Sequence, residues 1–130
     1  MKFLLYIPLL IAGTAFAQKI PCTQYHEGTF KVTDPKSKKV CIITRKGDVQ
    51  TERMEESDET YDFNLVWLDD CTYTLTPTPA TAARRKETLT PGTMTVRIIK
   101  TAEAGYTSRI TVANNPKFRR LDEVSLVTKE

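Results

Sequence analysis

Few side chains in this sequence have the types and spacing that chemistry needs. They are three cysteines, a single histidine, an acidic run and a set of aromatic residues. A Ser-His-Asp or Cys-His arrangement would have to centre on His26. None of Ser37, Ser57, Ser108 or Ser125 sits in a nucleophile-elbow context, so His26 reads as a polar residue just ahead of a first strand. Cys41 has only one histidine in the chain to activate it, which makes it a poor nucleophile, and three cysteines without C-x-x-C spacing do not make a zinc site. The run Glu52, Glu55, Glu56, Asp58, Glu59 and Asp62 lacks the glycine and spacing of a calcium loop. It reads instead as a charged hairpin that blunts a sheet edge. Asp69 and Asp70 are adjacent; on a strand they would face opposite sides, so they read as a turn and not as an acid–base pair. These readings predict no enzymatic activity, no metal and no cofactor.

The aromatic set Tyr61, Phe63, Trp67, Tyr73 and Tyr106 carries the more interesting pattern. Tyr61, Phe63 and Trp67 share one parity, as strand residues on one face do. Pointing into a barrel, the five would line an apolar cavity for a lipid or similar small molecule. The competing reading is that they fill the core outright.

The elements that must position them are short strands. Tyr61, Phe63, Leu65 and Trp67 alternate with Asp62, Asn64 and Val66. Cys71, Tyr73 and Leu75 alternate with threonines, and the same period recurs at Met94–Ile98 and Tyr106–Val112. Breaks at turn signals predict about eight strands, roughly Gly28–Thr33, Lys39–Arg45, Val49–Met54, Thr60–Leu68, Cys71–Thr76, Thr93–Lys100, Tyr106–Ala113 and Leu121–Thr128. The predicted fold class is all-β, an antiparallel meander closed as a barrel or folded as a sandwich. One connection, Pro77–Gly92, is too long for a plain turn and is placed to act as a lid. Ala80–Glu87 within it suits one helical turn, and Arg84-Arg85-Lys86 reads as a solvated basic triplet.

At 130 residues the chain holds one ordinary domain, and 27% charged with 40% hydrophobic residues fits a globular one. A net charge of +3, with basic residues scattered and no Gly-rich phosphate loop, gives no support to a nucleic-acid partner. Residues 1–17 read as a signal peptide: Lys2, the apolar stretch Phe3–Ala12 interrupted by Pro8, then Ala15-Phe16-Ala17. Cleavage after Ala17 leaves residues 18–130 as a single exported domain, periplasmic or secreted, with no membrane span. Lys19-Ile20-Pro21 before Cys22 does not resemble a lipoprotein box. Export permits disulfides. Cys22, Cys41 and Cys71 allow three single pairings, each with one thiol left over. Pairing Cys22 with Cys71 would tie the N-terminus to the middle of the chain; Cys41, within Val40-Cys41-Ile42-Ile43, suits a small buried hydrophobe.

Two segments resemble a known family: His26-Glu27-Gly28-Thr29-Phe30-Lys31, and Val66-Trp67-Leu68-Asp69-Asp70-Cys71-Thr72-Tyr73-Thr74-Leu75. They are similar to small exported Bacteroidetes proteins with a lipocalin-like barrel, mostly of unknown function. Ile43–Glu52 resembles the second hairpin of that family. The resemblance implies a barrel or half-barrel and a Cys22–Cys71 bridge, with no catalytic residues; Cys41 departs from the pattern. The resulting expectation is a non-enzymatic binding module for an apolar or amphipathic small molecule. The alternative is an envelope interaction protein with a filled core, meeting a protein partner through an edge strand or the 77–92 loop.

Overall fold

The computed structural model describes residues 19–84 and 92–129. The predicted signal peptide, and Arg85, Lys86 and Glu87 of the long connection, lie outside the described residues.

Eight strands run in chain order: β1 Gly28–Thr33, β2 Val40–Lys46, β3 Val49–Met54, β4 Thr60–Asp69, β5 Thr72–Pro77, β6 Met94–Ala102, β7 Gly105–Val112 and β8 Asn115–Thr128. Each pairs antiparallel with the next, and β1 pairs with β8, so the meander closes into a barrel. Closure gives every strand two neighbours, though β8 meets β1 only over Val124–Thr128 and pairs with β7 alone over its earlier residues. It also gives the acidic hairpin between β3 and β4 no edge to blunt.

Local chemistry sets the turns. Lys46 pairs with Val49 across a two-residue loop in which Gly47 has φ +58°, the left-handed conformation that such hairpins need. Gly105 opens β7 with φ +154°, and an added Cβ there would lie 1.9 Å from the Val124 carbonyl oxygen. Only glycine lets β7 approach β8 so closely.

β8 begins six residues earlier than the predicted Leu121. Residues 115–120 are all exposed, so no apolar alternation marks that stretch in the sequence. A short helix, α1 (Pro79–Arg84), forms within the long connection. Thr78 sits before it with its hydroxyl accepting from the Thr81 N–H, and Pro79 takes the first helical position.

A single 3-10 turn, Cys22–Tyr25, precedes β1. Cys22 is bridged to Cys71, closing a loop of sequence separation 49. Such a bridge contributes about 4 kcal/mol by restricting the unfolded chain. The core gathers Tyr25, Phe30, Phe63, Leu65, Tyr73, Leu75, Val96, Ile98 and Tyr106, with Cys22 and Val124 at its margin. Among the described residues no helix is long and apolar enough to cross a membrane.

Candidate functional site

The two ends of the barrel interior differ, and the difference starts from strand parity. Along β2, Cys41, Ile43 and Arg45 face inward; along β3, Gln50, Glu52 and Met54 do. The alternation thus carries an arginine, a glutamine and a glutamate into the barrel.

Arg45 is fully buried. Its Nε donates to Gln50 Oε1 at 2.8 Å, its Nη1 to the Tyr25 carbonyl at 2.8 Å, and its Nη2 to the hydroxyls of Tyr73 (2.7 Å) and Tyr106. The guanidinium also lies over the rings of Phe30 (4.6 Å), Tyr73 (4.7 Å) and Tyr106 (5.5 Å). Gln50 Nε2 donates in turn to Glu52 Oε2 at 3.3 Å. Burial opposes the charge on Arg45, but Tyr73, Tyr106 and Glu52 offset it and hold the guanidinium above its ordinary range. Burial also pushes the Tyr73 phenol well above its usual value. The Tyr25 hydroxyl donates to the Ala102 carbonyl, and the 3-10 turn with its disulfide covers this end. Just outside, His26 stacks on Trp67 at 3.5 Å, with its Nε2 2.8 Å from the Asp70 carbonyl.

Towards the other end the interior is not filled. A cavity of about 100 Å³ has Tyr73, Tyr106, Gln50 and Ser108 among its polar lining and Leu75, Val96, Ile110 and Val124 among its apolar lining. A wider mouth of about 660 Å³ lies between the β1–β2 turn and β8. The two spaces share Val32, Cys41, Glu52, Arg120 and Asp122 in their walls. Cys41, outside the bridge, has its Sγ 3.7 Å from Glu52 Oε1; Arg120 and Asp122 form an ion pair at 3.0 Å. α1 packs at the mouth end of β4 and β5: the Thr81 hydroxyl accepts from the Asp62 N–H, and Arg84 lies 4.9 Å from the Tyr61 ring.

The five aromatic residues singled out by sequence therefore separate. Tyr73 and Tyr106 line the cavity, and Phe63 is core. Trp67, half-buried, stands against His26 and Tyr73, and Tyr61 lies beneath Arg84 near the mouth. The structure does not bring them together as one site. Arg45 and Gln50 were not anticipated, and Glu52, read from sequence as part of a charged hairpin, lines the cavity instead; the signal was a charged residue at the inward parity of Cys41 and Ile43. No family model, curated protein or solved structure matches this chain.

Proposed function

We propose that the chain is an exported, non-enzymatic binding module of lipocalin-like type that takes a small amphipathic molecule into the open half of its barrel. The observation that carries this reading is that the inner cavity and the mouth adjoin, with five wall residues in common. A concave, mostly apolar space with a few converging polar groups is the usual form of a small-molecule site. Size limits the ligand: the inner cavity is smaller than the roughly 150 Å³ engineered void that holds benzene. It accepts a headgroup or a short stem, and the remainder must lie in the mouth. The Cys22–Cys71 bridge supports the exported part of this reading, because a disulfide needs an oxidising compartment to persist.

Thermal unfolding in rising concentrations of short-chain alcohols tests it. A saturable rise in Tm is expected, and Ser108→Leu, which fills the cavity, abolishes it. If no such amphiphile shifts Tm, the binding reading is lost and the envelope interaction protein replaces it.

A further inference from the structure

At the cavity floor the two tyrosine hydroxyls carry one proton more than they have acceptors. The Tyr73 and Tyr106 oxygens both accept from Arg45 Nη2, so each hydroxyl must donate its own proton elsewhere. One proton lies between the two oxygens, which are 3.3 Å apart. The other has no acceptor among the described residues, and both side chains face the inner cavity. A buried donor left unmatched is costly, so the floor calls for an oxygen or nitrogen acceptor from whatever enters.

Charge narrows that ligand further. Four charged side chains lie in the wall of the inner cavity or just beneath its floor, and they balance. Arg120 pairs with Asp122, and Glu52 acts on Arg45, linked to it through Gln50. A charged headgroup would add a charge without a counterpart to a space walled largely by aliphatic side chains, where unpaired charge is strongly disfavoured. A neutral headgroup adds none.

Building on the binding reading above, we propose that the site selects an uncharged amphiphile. Its hydroxyl or carbonyl head sits on Tyr73 and Tyr106, and its aliphatic part runs past Leu75, Ile110 and Val124 to the mouth. The head enters first, although the charged rim lies at the entrance.

Calorimetric titration with hexan-1-ol, hexanamide, hexanoate and hexylammonium at neutral pH separates the cases. The two neutral compounds are expected to bind at least about tenfold more tightly than either ion. Tyr106→Phe keeps the ring and is expected to weaken the neutral compounds about tenfold, the loss of one hydrogen bond. Should that variant fail to fold, Tyr73→Phe serves the same purpose. Nuclear Overhauser contacts should place the methylene next to the head, and not the terminal methyl, against the Tyr106 ring. Equal or tighter binding of either ion overturns the selectivity and leaves the binding module standing. Unchanged affinity in the foldable Tyr→Phe variant, or the methyl at the floor, overturns the orientation. If none of the four compounds binds, the binding module falls with it.

Discussion

The closed end of the barrel and the open end are built from the same alternating strands, yet they use inward polar residues in opposite ways. At the closed end Arg45 has each of its hydrogen bonds inside the protein, three rings around it, and the 3-10 turn fastened over it by Cys22–Cys71. At the open end Glu52, Arg120 and Asp122 border a space. A buried charge held by four hydrogen bonds fixes one arrangement of its neighbours. A charge at a rim, still near water, constrains little and remains able to select what enters. The lesson is a division along the barrel axis: one end holds the fold, and the other is left open to bind.

Arg45→Ala tests the division most severely. It removes four donors from buried acceptors, strips three ring contacts and leaves a void, and losses of this kind reach about 5 kcal/mol. Small domains have only about 5–15 kcal/mol in total, so this variant is expected to be largely unfolded by far-ultraviolet circular dichroism. Arg45→Met keeps the volume and should retain a folded barrel with a lower urea midpoint. A full-strength urea midpoint in Arg45→Ala would mean that the closed end does not hold the fold.

Tyr73→Phe is the intermediate case, because it removes one hydroxyl from a charged donor and keeps the ring. The expected loss is about 2 kcal/mol near neutral pH, read from urea unfolding. Its pH dependence has a definite sign. Burial raises the Tyr73 phenol in the folded protein, so the unfolded chain releases that proton first, from about pH 10. The stability that neutral Tyr73 contributes is complete below that pH and declines as pH rises towards its folded value. The gap between wild type and Tyr73→Phe should therefore narrow above pH 10. A gap that widens there would show Tyr73 to be ionised against Arg45 in the folded state.

Much of this fold was legible because strands of a one-sided sheet write their parity into the sequence. Phe63, Leu65, Tyr73, Leu75, Val96 and Ile110 all face inward as the alternation requires. β8 was legible only from Leu121 onward, since its first residues project beyond the core and carry no apolar period. The site was harder to read. A search for cavity-lining aromatics finds Tyr73 and Tyr106, but it cannot distinguish them from Phe63 in the core or from Trp67 against His26. That distinction depends on height along the barrel, which follows from register between strands and not from parity within one. Arg45 was missed because a charged residue near a strand end is ordinarily solvated. Only the cover supplied by Tyr25 and the disulfide makes it interior.

At the open end the smallest effect on stability should accompany a clear effect on binding. Asp122→Asn removes the partner of Arg120, whose side chain is 56% exposed. The Asp122 side chain is only 15% exposed, but a pair with one partner open to water is worth about 1 kcal/mol or less, and salt screens it further. Urea unfolding of Asp122→Asn should therefore lie close to wild type. The charge count at the rim changes all the same, since Arg120 then faces the cavity without its carboxylate. Hexanoate should gain several-fold in affinity relative to hexan-1-ol, and the gain should shrink in high salt. A variant as destabilised as Tyr73→Phe, with ligand preference unchanged, would place fold-holding contacts at the mouth and end the division between the two halves of the barrel.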